Sequence, residues 1–144
     1  MEVINYIKDC VNITLKPSPI NGVGVFSLRL IKKGEILFKE WDGDSKLYSL
    51  KQSDINSLND ETKQHILDMW SFEKMGDGYE LIGYLNKGCH WIYKTPIHWV
   101  NSCGWDEEPN VDRNTLEALR DIKQGEEILF KYGKYNKYTK SGII

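Results

Sequence analysis

The sequence predicts a mostly β domain with a short helical insertion, α+β overall. Short segments rich in β-branched and aromatic residues recur between turn signals. The chain has 12 glycines against 4 prolines, with 12% aromatic residues, a balance of turns and strands more than of helical bundles. Helical periodicity with capping residues is confined to one central stretch, about 53–72.

Taken in order, Val11 to Leu15 alternates apolar and polar residues as a strand does, and Pro17, Pro19 and Asn21-Gly22 end it in a turn. Gly24 to Ser27 follows as a second extended segment. After a turn at Lys33-Gly34, Glu35 to Trp41 is a third strand candidate, closed by Asp42-Gly43-Asp44. Ser53 and Asp54 are placed to cap a short helix. Asn59 or Asp60 would cap a longer one carrying Ile66, Met69 and Trp70 on one face. Gly76-Asp77-Gly78 closes this region, and Tyr79 to Leu85 returns to strand character, followed by the apolar-rich Cys89 to Tyr93. Thr115 to Arg120 and Glu127 to Tyr132 are the last strand candidates.

At 144 residues the chain reads as one domain, 1–144, with no linker, repeat or low-complexity segment. A formal net charge of −2 gives no global positive field to hold a nucleic acid backbone, so a basic partner is the easier one to accommodate. Met1 to Cys10 is broken by Glu2, Lys8 and Asp9 before a signal-peptide core can form, and no stretch is apolar enough for a membrane span. The three scattered cysteines, Cys10, Cys89 and Cys103, fit reduced thiols. These features point to an intracellular protein, with cytoplasm and nucleus both open.

Three segments carry candidate chemistry. In Asn21-Gly22-Val23-Gly24-Val25-Phe26 two glycines flank one residue in a turn that leads into a strand; glycine allows a ligand to approach the main chain where a Cβ would stand in the way. It is not a dinucleotide fingerprint, because no third glycine follows and no helix opens; a plain hairpin turn is the simpler reading. The second is His98-Trp99-Val100-Asn101-Ser102-Cys103, followed after an acidic loop by Pro109-Asn110-Val111. The third is the turn and strand from Asp121 to Gly133, which includes Gly125-Glu126-Glu127 and ends on Tyr132. Cys89, His90, His98 and Cys103 form a ligand set acceptable to zinc, but their spacing matches no zinc pattern and no metal is expected.

In this order the three segments resemble the SET domain, the β-clip fold of S-adenosylmethionine-dependent protein lysine methyltransferases. Gly22-Val23-Gly24 is similar to the family's opening Gly-x-Gly, and Ile31 to Glu35 to its Ile-x-x-Gly-Glu step. Trp41-Asp42-Gly43-Asp44 is similar to its Tyr-x-Gly-Glu element. Asn101-Ser102-Cys103 with Pro109-Asn110 resembles Asn-His-Ser-Cys-x-Pro-Asn, and Asp121 to Gly133 resembles the closing Asp-Ile-x-x-Gly-Glu-Glu motif. The helical stretch falls where the family carries its variable insert. The chain departs from the pattern in lacking the family histidine after Asn101 and in inserting Gly104 to Glu108. It also has Lys131 before the final tyrosine and no cysteine-rich tail.

The resemblance implies methyl transfer from S-adenosylmethionine to a lysine of a protein or peptide substrate, with histones among the candidates. It implies Tyr132 as the catalytic residue and a substrate channel of Trp41, Phe130 and Tyr132. It implies a cofactor site of Gly22, Val23, Gly24, Asn101, Ser102, Tyr132 and Tyr135, closed by the C-terminal segment 133–144. A homodimer that completes the pocket is an open option. The alternative is a SET fold without catalysis that binds peptide or chromatin. A third reading has Lys131, Lys134, Lys137 and Lys140, interleaved with Tyr132, Tyr135 and Tyr138, stacking on single-stranded nucleic acid; the negative net charge disfavours it.

Overall fold

The computed structural model describes residues 1–76, 78–94 and 96–132. It opens with a helix where the sequence reading assigned no element: α1, Val3–Cys10. Val3, Ile7 and Cys10 recur at helical spacing, and Tyr6, Ile7 and Cys10 are buried. β1 (Ile13–Pro17) and β2 (Val23–Ser27) then form an antiparallel pair, with Leu15 opposite Val25. They are joined through the Asn21-Gly22 turn, where Gly22 takes a φ of +44°.

Glu35 to Trp41, expected as a strand, is irregular. Its ladder is limited to single contacts with 116–118, and Phe38 then takes a left-handed φ of 61° that ends any extension. β3 (Lys46–Lys51) follows, then α2 (Gln52–Asn56) and α3 (Asp60–Met69). Asn59 caps α3 as expected, its Oδ1 accepting from the Thr62 N–H at 2.7 Å. Ser53 and Asp54 lie inside α2, whose cap position is Lys51, without a side-chain cap bond. The helical insertion also ends earlier than 72. Trp70 is extended, and β4 (Ser71–Met75) and β5 (Gly78–Leu85) complete an antiparallel sheet in the order β3-β5-β4.

A short 3-10 turn, Pro96–Trp99, leads into β6 (Asn101–Ser102), which pairs in parallel with β7 (Leu129–Phe130). Thr115 to Arg120 forms isolated bridges, Glu117 to Ile36 and Ala118 to Val111, in place of a regular strand.

The buried side chains fall into two clusters. One joins α1, α3 and the three-stranded sheet through Ile7, Ile66, Leu81 and Trp91. The other gathers Val25, Leu37, Val100, Ile128 and Phe130 from segments far apart in sequence. The second cluster positions the three candidate motifs. Glu126 O accepts from Ser27 N at 2.9 Å and Ile128 N donates to Val25 O at 2.7 Å, so 126–128 lies along β2. Two residues later the same segment becomes β7 and lies along β6. One stretch of chain therefore brings the Gly22-Gly24 turn and Asn101-Ser102 together, and it ends on Tyr132.

Candidate functional site

The junction is held by amides. Asn110, 1% exposed, donates from Nδ2 to Glu127 O at 2.8 Å and accepts from Leu129 N at Oδ1, also at 2.8 Å. It serves as a piece of strand backbone, meeting polar groups that would otherwise be buried without partners. On the opposite flank Cys103 N donates to Phe130 O at 2.8 Å. The segment from Asn101 to Val111 thus grips β7 from both sides.

Asn101 ties this junction to the glycine turn. Its Nδ2 donates to Asn21 O at 3.1 Å, to Glu127 Oε2 at 3.0 Å and, more weakly, to Val23 O at 3.4 Å. The Ser18 hydroxyl is shared between the two Glu127 oxygens, 2.9 Å from each. Gly24 has no room for a side chain, since a Cβ there would lie 2.4 Å from Glu127 Oε2 and 2.9 Å from Ser18 Cβ. Gly24→Ala is accordingly expected to displace the Glu127 carboxylate and cost about 1–3 kcal/mol, readable as a lower urea midpoint. An unchanged midpoint would show that the carboxylate yields freely.

Tyr132 stands at the other end. Its hydroxyl donates to Val100 O, and its own N–H donates to Ser102 Oγ at 3.3 Å. Its ring is 38% exposed and forms one wall of a cleft of about 340 Å3, with Phe130, Ile97, His98 and Arg113. The Arg113 guanidinium lies 5.9 Å from the ring centre and donates to Tyr132 O at 3.5 Å. Burial pushes the Tyr132 hydroxyl above the usual phenol range, with Arg113 opposing. The group is a neutral phenol at physiological pH.

Of the residues expected to form a site, Gly22, Val23, Gly24, Asn101, Ser102, Phe130 and Tyr132 are brought to this junction. Trp41 is not. It is 2% exposed in the first core cluster, edge-on to Tyr6 at 5.2 Å and to Tyr48 at 5.3 Å, and its Nε1 donates to Asp44 O at 3.2 Å. α1 supplies Tyr6 and so buries the ring in that cluster, apart from the residues that line the Tyr132 cleft. Phe38 instead packs into the cluster that contains Phe130. It also lines an adjoining cavity of about 220 Å3 that shares Ile97 and His98 with the Tyr132 cleft. Tyr135 and Tyr138 lie outside the described residues, as does the closure of the site by 133–144. Among the described residues no group of three or more histidine, cysteine or acidic side chains is placed to hold a metal ion. Glu127, Asn110 and Arg113 were not singled out by the sequence. Glu127 sat within a quoted motif, but its side-chain partners are 26 and 109 residues away.

With this geometry in place, comparison with known proteins is direct. Residues 22–133 match the sequence profile of the SET domain, and the chain belongs to that family. It is a family of lysine methyltransferases that generally use S-adenosylmethionine. Among solved structures, a proposed histone methyltransferase of Plasmodium falciparum is 23% identical, with a TM-score of 0.37 over 85% of this chain and 94% of that one. The methyltransferase domain of human PR domain-containing protein 2 is 24% identical, with a TM-score of 0.39 over 85% of this chain and 78% of that one. No curated protein sequence matches.

Proposed function

We propose that this chain transfers methyl groups from S-adenosylmethionine to a lysine side chain of a protein substrate. The observation that carries this reading is that one segment, 126–132, joins the Gly22-Gly24 turn, Asn101 and Tyr132 at a single junction. The junction fits the cofactor. A Cβ at Gly24 would collide with Glu127 and Ser18, so the main chain there is bare, and Asn101 and a half-buried carboxylate border it. Gly22, Val23, Gly24, Asn101 and Ser102 would hold the cofactor, which supplies a methyl group activated by a sulfonium.

The remaining work falls to the protein. A lysine amine must arrive neutral, aligned and out of water. Phe130 and Ile97 give the cleft apolar walls, and Arg113 at its rim disfavours a second cation, so both push the amine toward its neutral form. The Tyr132 hydroxyl spends its proton on Val100 O and keeps its lone pairs for an amine N–H. The amine's own lone pair is then left to react. Val100 O fixes the hydroxyl, and Ser102 Oγ fixes the backbone of the same residue.

Two measurements test the reading. Calorimetric titration with S-adenosylmethionine should show one binding event, and labelled methyl transfer onto mixed histones and cell lysate should mark lysine. Absence of cofactor binding would overturn it. Cofactor binding without transfer to any protein would favour the peptide-binding alternative.

Phe130 bears on the product. It is 4% exposed and carries no hydroxyl to hold a water beside the amine. Dimethyl- and trimethyl-lysine are therefore expected at long reaction times, and Phe130→Tyr should shift the product toward monomethyl-lysine. A mass spectrum of the unmodified enzyme's product showing only one methyl group would contradict this.

A further inference from the structure

We infer that Glu127 supplies the counter-charge for the ammonium of the cofactor's amino-acid arm, an inference that rests on the methyl-transfer reading above. Glu126 and Glu127 are neighbours with opposite fates. Glu126 pairs with the Arg120 guanidinium, whereas no lysine, arginine or histidine among the described residues comes within ion-pair distance of Glu127. Its half-buried side chain lies against the glycine turn, where it receives only neutral donors among the described residues: the Ser18 hydroxyl, shared by both oxygens, and the Asn101 amide.

A carboxylate offers about four lone-pair positions, and these two donors supply two hydrogens. Acceptor capacity and a whole negative charge remain. A half-buried carboxylate met only by neutral donors has room for a cation. The carboxylate lies against the bare main chain of Gly24.

Position selects which cation. Tyr132 Oη is bound to the carbonyl of Val100, and Glu127 Oε2 to the side chain of Asn101. Val100 and Asn101 are consecutive, so the two groups are anchored to adjacent residues. On the methyl-transfer reading the reacting end of the cofactor belongs at Tyr132, and Asn101, the residue next to Tyr132's anchor, would then face the amino-acid arm whose ammonium Glu127 would meet. Asn101 then has two tasks, holding the turn and aiming the carboxylate.

The test is a cycle of two proteins and two ligands, read by calorimetry without turnover. The proteins are the unmodified chain and Glu127→Gln. The ligands are S-adenosylhomocysteine, which keeps the ammonium and lacks the sulfonium charge, and its deaminated analogue. Removing either the carboxylate or the amine should weaken binding by about tenfold or more, the scale of a charged hydrogen bond. Removing the amine should cost little further in Glu127→Gln. Equal loss on deamination in both proteins would overturn the inference, as would undiminished binding of S-adenosylhomocysteine to Glu127→Gln.

5′-Methylthioadenosine, which lacks the arm, should bind both proteins alike, and equal weakening of all three ligands would mark Glu127 as structural only. Should Glu127→Gln fail to fold, the unmodified chain still decides, because deaminated ligand binding as tightly as S-adenosylhomocysteine would sink the idea. Failure of the unmodified chain to bind any of these ligands would instead count against the methyl-transfer reading itself.

Discussion

Tyr132→Phe is expected to lower kcat about 100-fold or more while leaving the fold intact. A factor of 100 corresponds to about 2.7 kcal/mol of transition-state stabilisation, within the range for a positioned group that orients a reacting amine. The ring should keep its place, since Arg113 packs over it and Ser102 Oγ holds its backbone, neither of which needs the hydroxyl. What disappears is the oxygen that faces the amine, together with the donor to Val100 O. That carbonyl then loses one neutral hydrogen bond at a partly exposed position, worth about 1 kcal/mol. Single-turnover methyl transfer with labelled cofactor, run beside thermal unfolding, separates the two effects. A rate loss under tenfold, or one matched by a proportionate loss of folded protein, would remove Tyr132 from its assigned role.

The second large effect is on stability. His65 and His90 are 6% and 2% exposed, and burial pushes each imidazole down to about 4 from an ordinary value of 6.5. Hydrogen bonding explains why neither accepts a proton. The Trp91 indole can only donate, and it donates to His65 Nε2 at 2.9 Å, so His65 carries its proton on Nδ1, 3.1 Å from Thr14 Oγ1. His90 donates from Nδ1 to Lys39 O at 2.8 Å, and its buried Nε2 has no partner among the described residues. A second proton would break the first arrangement and leave an unpaired N–H in the other.

The sign follows from linkage. Above pH 6.5 both rings are neutral whether the chain is folded or not, and they add no pH dependence. Between 6.5 and 4 the unfolded chain takes up protons that the folded chain refuses, so stability falls with falling pH by up to about 1.4 kcal/mol per unit for each ring. Across the whole window the pair accounts for a loss on the order of 6 kcal/mol, comparable with the total stability of an ordinary domain. Urea unfolding at pH 7.5, 6.5, 5.5 and 5 should show a flat region followed by a steep decline. Constant stability between pH 6.5 and 5 would contradict it. Glu126, held below the usual carboxylate range by its hydrogen bond from Arg120, loses its contribution only at lower pH and does not confuse this window.

What the sequence revealed was what is local. Asn59 caps α3 because a side chain three residues before a backbone N–H reaches it without help from the rest of the fold. The turn at Gly22 was readable for the same reason, and the motif order was enough to reach the SET family and the bringing together of Gly24, Asn101 and Tyr132. Trp41 stands apart from the Tyr132 cleft because its surroundings are set by Tyr6, on a helix whose five apolar positions lie among charged and polar ones. The strand expected over 35–41 failed at Phe38, whose left-handed backbone no composition rule reports. Glu127 and Arg113 gain their significance from neighbours reached across the fold, and nothing in their own surroundings along the chain distinguishes them from other surface charges.

The hydrogen bond between Ser18 and Glu127 spans 109 residues, and that between Asn101 and Asn21 spans 80. Closing such long loops costs entropy before any contact is gained, and contacts of this kind form late and slowly. During synthesis the glycine turn must therefore wait for almost the whole described chain to emerge before its carboxylate and tyrosine arrive. The first core cluster also joins distant segments, Tyr6 to Trp91 across 85 residues, but all its buried members have emerged by residue 91. A chain cut before Glu126 would keep that cluster's side chains and lose Glu127 and Tyr132, leaving Asn101 alone against the Gly22-Gly24 turn.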